Sequence, residues 1–243
     1  MSIRVALSGA AGSMGRRVGA ALAATDGIEF VCGLVRSSQL SADGCLTPLS
    51  DDVDQVISDC DVLFDFTDFD RTLELAAKCA DGGRPLFVGT TVRSGDGLES
   101  LMKFAADIPI IYGPNISRGA SVLFGVLETL AGRLGPGYDA KVIGVHHRRK
   151  KETPSGTSGE IARRIQAGRG DEAPPEIVSL LAGGAISNHE IIFGSHNDEI
   201  RISHNVTRPD IDPTVLRTAC QWLTAKEPGF YGLPEVLADA EAL

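Results

Sequence analysis

The sequence predicts an α/β protein in which a doubly wound parallel sheet is followed by an α+β region with a mixed sheet. In the first half of the chain, short runs of apolar residues alternate with helical patterns at short intervals. Runs that are apolar throughout are typical of parallel strands covered by helices on both faces. After residue 112 the strand candidates alternate more regularly between apolar and polar residues, which indicates a sheet with one covered face.

The first half supplies the elements of the predicted parallel sheet. The predicted strands are residues 3–7, 29–34, 62–66, 85–89 and 108–113. The predicted helices are residues 14–24, 71–80 and 97–106. This regular alternation of strand and helix is the reason for predicting a parallel sheet rather than an antiparallel one.

The second half begins with a predicted helix over residues 117–134. The predicted strands that follow are residues 138–147, 176–182, 188–194 and 199–206. A last helix, residues 213–226, contains Trp222, the only tryptophan. The change of pattern predicts a first domain over residues 1–113 and a second over 114–210, with residues 211–243 returning to the first.

Composition excludes several classes of protein. A net charge of −9 over 243 residues argues against general binding to nucleic acid or to an anionic membrane. No apolar run is long enough to span a membrane, and the N-terminus does not resemble a signal peptide, so we expect a cytoplasmic protein. The five cysteines are odd in number and widely spaced, which predicts buried thiols rather than disulfides or a zinc ribbon. The histidines lack metal-ligand spacing, so no metal site is expected.

A glycine-rich loop lies directly between the first predicted strand and the first predicted helix. Gly9, Gly12 and Gly15 have the spacing G-x-x-G-x-x-G, a variant of the dinucleotide-binding pattern. Glycines allow the backbone to approach a pyrophosphate, whose charge is met by N–H groups at the helix start. A turn without a ligand is the alternative, but the position between strand and helix favours a Rossmann-type cofactor domain.

The end of the second strand bears on the choice of cofactor. A carboxylate there would hold the ribose of NAD, whereas an arginine suits the extra phosphate of NADP. The strand ends with Gly33-Leu34-Val35-Arg36-Ser37-Ser38, which has an arginine and no carboxylate. Arg36, with Arg16 as a second candidate, therefore predicts that NADPH is preferred and NADH is possible, unless Arg36 is only a solvated loop charge.

Two further loops follow strands at the carboxyl edge of the predicted sheet, where open α/β sheets bind ligands. They are Phe66-Thr67 and Gly89-Thr90-Thr91. Their small polar groups could line the nicotinamide and its ribose. From chemistry alone, capping of the next helix by Thr67 or Thr91 is an equally good explanation.

A basic segment in the second half has a different chemistry. It reads Gly144-Val-His146-His147-Arg-Arg-Lys150-Lys-Glu-Thr-Pro-Ser155-Gly156-Thr157, and it leads from a predicted strand into a helix. Thr157 and Glu160 have the spacing of a capping box, which predicts that Thr157 caps that helix. A helix start flanked by cations suits an anionic substrate, and a nearby histidine can supply a proton near neutral pH. The combination predicts reduction of a polarised double bond, with a solvated basic loop as the alternative.

The same residues carry a resemblance to a known family. The chain resembles the 4-hydroxy-tetrahydrodipicolinate reductase (dihydrodipicolinate reductase) family, whose pattern is E-x-H-H-x-x-K-x-D-A-P-S-G-T. The corresponding residues here are G-V-H-H-R-R-K-K-E-T-P-S-G-T. Further matching segments are GAAGSMGR near the start, DVLFDFT at 61–67, VGTT at 88–91, PNISRG at 114–119 and KEPGFYGLPEVL near the end.

The resemblance implies roles for individual residues. His146 would be the proton donor and Lys150 would support developing negative charge, while His147, Ser155, Gly156 and Thr157 would bind a small dicarboxylate substrate. The residues expected to line the cofactor are Gly9, Gly12, Ser13, Met14, Gly15, Arg16, Arg36, Phe66, Thr67, Gly89, Thr90, Thr91 and Asn115. Asn115 would lie at the hinge between the domains. The family is typically a homotetramer assembled through the sheets of its substrate domains.

Several positions depart from the family pattern. Gly144 replaces the leading glutamate, Glu152-Thr153 replaces Asp-Ala, and the usual V-R-A-G segment appears as residues 181–184 without its arginine. Two alternatives therefore stay open beside the lysine-pathway reductase. One is a paralogous reductase of another cyclic imine or enamine acid, and the other is a non-catalytic protein that senses dinucleotides.

Overall fold

The computed structural model describes residues 2–92, 95–151 and 153–241. The chain divides into two compact units. The first contains Met1–Arg118 and Asp210–Leu243, and the second contains Gly119–Pro209. No helix among the described residues is long and apolar enough to cross a membrane.

The first unit is built on a parallel sheet. Its strands are β1 (Ile3–Ser8), β2 (Ile28–Leu34), β3 (Leu49–Ser50), β4 (Val62–Asp65), β5 (Leu86–Val88), β6 (Pro109–Tyr112) and β11 (Gly229–Gly232). Its helices are α1 (Ser13–Ala23), α2 (Val53–Asp59), α3 (Phe69–Asp81), α4 (Gly95–Met102), α7 (Pro213–Ala225) and α8 (Leu233–Glu241). Within the described residues, the strand order is β11-β6-β5-β4-β1-β2-β3, and all neighbouring pairs are parallel.

Helices cover both faces of this sheet, which accounts for the mainly apolar sequences of its central strands. One hydrophobic cluster joins alternate residues of β1 and β4 to α1, α7 and α8. A second cluster joins the other alternate residues of these strands to α2, α3 and α4. Every residue of β4 and β5 is buried. The predicted doubly wound fold is confirmed.

Some elements of the first unit differ from the prediction. The sequence prediction misses α2, β3, β11 and α8. Strand β3 has two residues and β11 is Gly-Phe-Tyr-Gly, so neither carries a recognisable strand pattern. The helix predicted over residues 97–106 is α4 followed by a 3₁₀ turn, Lys103–Ala106.

The second unit contains a mixed sheet with helices on one face. Its elements are α5 (Arg118–Leu134), β7 (Asp139–His146), α6 (Gly156–Arg169), β8 (Glu176–Leu181), β9 (Ser187–Gly194) and β10 (Glu199–Val206). Across the part of this unit that the structure describes, the order is β10-β9-β7-β8, with β7 and β8 parallel and the other pairs antiparallel. Alternate residues of β7 and β9 are buried, and they join α5 and α6 in a third hydrophobic cluster. The predicted mixed sheet is confirmed.

Candidate functional site

The glycine loop of the first unit leaves no room for side chains at two positions. Gly9 has a φ of 81°, and a Cβ there would lie 2.6 Å from the carbonyl oxygen of Phe66. A Cβ on Gly15 would lie 2.0 Å from the carbonyl oxygen of Gly9. The turn is closed by the Gly12 N–H, which donates to the Gly9 carbonyl at 2.9 Å. Both glycines are therefore required by the turn itself.

The start of α1 is open for an anion. Gly12 occupies the N-cap position, where it offers no side chain to accept from the first N–H groups of the helix. Gly12, Ser13 and Met14 are exposed. Backbone N–H groups at a helix start, combined with the positive end of the helix dipole, suit a pyrophosphate.

Arg16 braces the glycine loop. Its Nε donates to the Ala11 carbonyl at 3.1 Å, and its guanidinium also donates to the carbonyl of Asp43. Arg16 therefore ties the loop that follows β2 to the glycine loop.

Arg36 projects from the end of β2 and is paired with a carboxylate from another element. Its side chain is 80% exposed, and its guanidinium lies 3.6 Å from Oδ2 of Asp68. Asp68 is also the N-cap of α3, where its Oδ1 accepts from the Arg71 N–H. The sequence prediction missed this carboxylate, because Asp68 is distant from β2 along the chain.

A buried carboxylate joins the loops at the carboxyl edge of the sheet. Asp65, at the end of β4, is fully buried. Its Oδ1 accepts from the Thr67 hydroxyl at 2.7 Å, and its Oδ2 accepts from the hydroxyls of Thr72 at 2.5 Å and Thr90 at 3.0 Å. The Thr90 hydroxyl in turn accepts from the Thr67 N–H at 3.1 Å. The loops after β4 and β5 are thus fastened to one another through Asp65.

This network modifies the predictions for two threonines. Asp68 rather than Thr67 caps α3, so the capping alternative for Thr67 is wrong. The hydroxyls of Thr67 and Thr90 both donate to Asp65, so they are engaged in hydrogen bonds within the protein. Burial raises the pKa of Asp65, and hydrogen bonds from these threonines and Ser8 partly offset that effect.

The network predicts a large loss of stability on removal of the carboxylate. In Asp65→Ala the buried Thr90 hydroxyl loses its acceptor, and we expect the free energy of unfolding to fall by about 2–4 kcal/mol. Denaturant titration measures this change. Exposed Asp51 offers a control, since Asp51→Ala should stay within about 0.5 kcal/mol of the wild type. Equal stabilities of the two variants would show that the Asp65 contacts contribute little.

The other predicted cofactor residues lie in the same unit. A Cβ on Gly89 would lie 2.1 Å from the Phe66 ring, so this glycine allows Phe66 to pack against the loop after β5. Thr91 is exposed. Asn115 follows β6, and its Oδ1 accepts from the Ser117 N–H at 3.0 Å.

In the second unit, the basic segment begins with a turn at the end of β7. The Lys150 N–H donates to the His147 carbonyl at 3.0 Å. The neighbouring backbone is fixed by the loop after β8, because the Ala182 N–H donates to the His146 carbonyl and the Arg148 N–H donates to the Gly183 carbonyl. Lys150 and His147 are half-buried in this turn. Glu152 lies outside the described residues.

The helix after this turn begins differently from the prediction. Ser155, not Thr157, is the N-cap of α6, and its hydroxyl accepts from the Ser158 N–H at 3.1 Å. The predicted capping box at Thr157 and Glu160 is wrong, since Glu160 pairs instead with Arg163 and Arg164. Gly156 and Thr157 occupy the first two helical positions, and Gly156 is exposed. These positions carry the N–H groups that an α-helix leaves without internal partners.

A row of three histidines crosses the helix-facing side of this sheet. His146 and His189 are each 2% exposed, and their ring centroids are 5.5 Å apart in an edge-on arrangement. His204 stacks on the other side of His189, with centroids 6.1 Å apart. Of this row, only His146 was predicted as a functional residue. The sequence predicts that His189, His196 and His204 are structural or surface residues, with a place near the pocket as the alternative for His196 or His204.

The electrostatic surroundings of these histidines favour neutral rings. Burial is the largest cause that lowers the pKa of His146, followed by the charge of Lys150, and a hydrogen bond to the Ile186 backbone opposes them. Burial lowers the pKa of His189 to about 4, with further contributions from His146, His204 and Lys150. Lys150 belongs to the turn that follows His146, and its charge contributes to the lowered pKa of both His146 and His189.

The second unit therefore brings together a buried imidazole, a cation and the start of a helix. His146, Lys150 and the N-terminus of α6 are all held by the same short stretch of chain. Among the described residues, no group of three or more His, Cys, Asp or Glu side chains could hold a metal ion. A titratable imidazole, a cation and the first N–H groups of a helix are groups that can serve proton transfer to an anionic substrate.

Comparison with known proteins gives the same family for both parts of the chain. Residues 3–116 match the model of the dihydrodipicolinate reductase N-terminus, and residues 119–237 match that of its C-terminus. The 4-hydroxy-tetrahydrodipicolinate reductase of Geotalea daltonii is 31% identical over 97% of this chain and 98% of its own length. That of Hahella chejuensis is 31% identical over 96% of this chain and 98% of its own length.

Solved structures show the same fold at lower sequence identity. A dipicolinate-bound dihydrodipicolinate reductase from Paenisporosarcina sp. TG-14 has a TM-score of 0.79 at 21% identity, covering 97% of this chain and 99% of its own. An amine dehydrogenase from Mycobacterium smegmatis has a TM-score of 0.67 at 13% identity, covering 96% of each chain. On the family models and the sequence relatives, the chain is an oxidoreductase and belongs to the dihydrodipicolinate reductase family.

Proposed function

We propose that this chain reduces 4-hydroxy-tetrahydrodipicolinate to tetrahydrodipicolinate with a nicotinamide cofactor, in the diaminopimelate route to lysine. The observation that carries the proposal is the grouping of buried His146, Lys150 and the start of α6 within the second unit. A dicarboxylate needs cations and N–H donors, and a reduction that ends with protonation needs an acid. The family membership supports this substrate through the names of its relatives.

The proposal assigns each group of the second unit a task. The backbone of Gly156 and Thr157, at the start of α6, binds one carboxylate, and Ser155 fixes that helix start as its N-cap. Lys150 and His147 hold the substrate from the preceding turn. His146 donates a proton to the substrate, and Lys150 stabilises the negative charge that develops beside it.

The glycine loop fits a dinucleotide, because its tight turn leads directly into α1, whose start lacks a side-chain cap and is exposed at Gly12, Ser13 and Met14. The residues that would hold the cofactor are Gly9, Gly12, Ser13, Met14, Gly15, Arg16, Arg36, Phe66, Thr67, Gly89, Thr90, Thr91 and Asn115. When bound, the reduced nicotinamide supplies the hydride. In this assignment Thr67 and Thr90 act mainly through the backbone of their loops, since Asp65 engages their hydroxyls.

Arg36 is proposed to favour NADPH, because its exposed guanidinium can pair with the additional phosphate. We expect Arg36→Ala to weaken NADPH binding by about 10–100-fold and NADH binding much less. Dissociation constants from the fluorescence of the bound cofactor measure both effects. Arg71→Ala removes another arginine of this unit that pairs with Glu74, and it should change neither constant. Equal losses for the two cofactors in Arg36→Ala would remove the argument for NADPH.

The proposal also includes a homotetramer and a cytoplasmic location, as the family resemblance and the composition predict. The sheet face opposite α5 and α6 supports assembly, because it presents Val178 and Leu180, which are 39% and 50% exposed, beside Ile143 and Val145 of β7. An apolar sheet face of this kind suits a second copy of the chain. Light scattering of the purified protein tests the tetramer.

A related reductase with another cyclic imine acid as substrate is the second candidate. Gly144 and the missing arginine in residues 181–184 favour it, because both depart from the family pattern close to His146. The test is an assay of NADPH and NADH oxidation with freshly made 4-hydroxy-tetrahydrodipicolinate and with a panel of cyclic imine acids. Faster turnover of a panel member would favour the second candidate, and cofactor binding without turnover of any compound would favour a dinucleotide sensor.

A further inference from the structure

His189 lies between the two functional parts of the second unit. Its ring packs edge-on against His146, and its Nε2 lies 3.3 Å from the Ser155 hydroxyl at the start of α6. His189 is 2% exposed, so water does not compete with these contacts. A single side chain therefore contacts both the proposed proton donor and the N-cap of the proposed anion site.

Gly144 makes this arrangement possible. It lies directly opposite His189 in the register of β7 and β9. A Cβ on Gly144 would lie 2.7 Å from the Ser158 hydroxyl and 3.2 Å from Nε2 of His146. The position that departs from the family pattern thus provides the space in which His146 and Ser158 pack, beside His189 on the neighbouring strand.

Some ring nitrogens of the three histidines make no hydrogen bond within the described part of the chain. Nε2 of His146 and Nδ1 of His189 are buried and have no hydrogen-bond partner within the described part of the chain. Buried polar atoms without partners are uncommon and costly, and they concentrate where function requires them. Hydrogen bonds alone therefore do not explain why two imidazoles meet at this position.

We propose that His189 is a positioning residue for the reduction, which holds the His146 ring and the Ser155 N-cap in a fixed relation. The proposal rests on the proposed function, since it assumes that His146 donates a proton and that α6 binds a carboxylate. His189 acts through these two residues and does not itself touch the substrate.

The charges around His189 are compatible with this task. The groups that face it are His146 from β7, His204 from β10 and Lys150 from the turn after β7, while Ser155 and Ser158 from α6 carry no charge. With a pKa of about 4, His189 stays neutral near pH 7 and adds no positive charge beside His146. It shields His146 from water by packing, and burial is the main cause of the lowered pKa of His146.

Two substitutions separate the two contacts. His189→Phe keeps a ring against His146 but loses the contact that holds Ser155. The start of α6 is then less firmly positioned for the carboxylate, so the KM for the substrate should rise by about tenfold. His189→Gln can still contact Ser155 but loses the ring, so kcat should fall while KM stays nearly unchanged. In His189→Gln the pKa of His146 should also rise toward its usual value, because the ring becomes hydrated.

His204→Gln is the matched control. It removes the other imidazole that stacks on His189, and it should leave KM and the pH dependence of kcat unchanged. The proposal is overturned if both His189 variants lose thermal stability but keep the wild-type KM and the wild-type pH dependence of kcat. That outcome would reduce His189 to a packing residue.

NMR titration of the histidine rings keeps this test independent of turnover. The pKa of His146 should rise in His189→Gln and remain at its wild-type value in His189→Phe. If the wild-type protein does not turn over the substrate, the proposed function fails while this titration still decides whether His189 shields His146. An unchanged pKa of His146 in both variants would overturn the proposal that His189 positions His146.

Discussion

His146→Gln should lower kcat by about 10²–10⁴-fold, the usual contribution of a general acid. Glutamine fits a site of similar size and remains polar, but it cannot deliver a proton at neutral pH. The substitution should leave the affinity for the reduced cofactor unchanged, because His146 lies in the second unit and the glycine loop lies in the first. Steady-state rates at saturating substrate and cofactor measure the loss.

The pH dependence of the wild-type protein checks the same assignment. Burial and Lys150 lower the pKa of His146 below its usual value. A proton donor must carry its proton, so kcat should decline as pH rises through this lowered pKa, and the decline should vanish in His146→Gln. Exposed His196 offers a control, since His196→Gln should keep both the rate and the pH dependence. A His146→Gln protein with the wild-type rate would exclude His146 as the acid.

Lys150→Ala should impair substrate binding and the rate together, with a fall in kcat/KM of about 10²-fold, as expected for a lost charge-assisted hydrogen bond. The cation also lowers the pKa of His146, so its removal should move the pH dependence of kcat to higher pH. The cofactor dissociation constant should remain close to the wild-type value. Initial rates over a range of substrate concentrations and pH provide all three quantities.

The neighbouring lysine provides the comparison for this variant. Lys151 is exposed and belongs to the same basic segment, so Lys151→Ala should change kcat/KM only slightly. Equal effects of the two substitutions would show that the segment acts through its general charge. A collapse of cofactor affinity in Lys150→Ala would contradict the separation of the cofactor and substrate residues between the two units.

The strands of both sheets could be predicted because their apolar patterns are local. Strands β1, β2, β4, β5 and β6 are mainly apolar, because helices cover the sheet on both faces. The glycine loop could also be predicted, since Gly9 and Gly15 act within one turn. In contrast, β11 begins and ends with glycine, so its sequence gives no strand signal. It forms a strand because it pairs with β6, which is far away in the chain.

Contacts between distant residues account for most of what the sequence could not predict. His189 meets His146 only through the register of β7 and β9. Asp68 meets Arg36 only because the loops that follow β2 and β4 lie at the same carboxyl edge of the sheet. The capping error at Thr157 has a local cause. Both Ser155 and Thr157 are good caps, and the sequence does not show which of them precedes the first helical residue.

The most direct test of the central claim is a single reaction with purified protein. Freshly made 4-hydroxy-tetrahydrodipicolinate is mixed with NADPH or NADH, and both cofactor consumption and product mass are followed. We predict that the wild type consumes one cofactor for each tetrahydrodipicolinate formed, and that His146→Gln does so far more slowly. Cofactor consumption no faster than in the absence of substrate, with either cofactor, would contradict the proposed reduction.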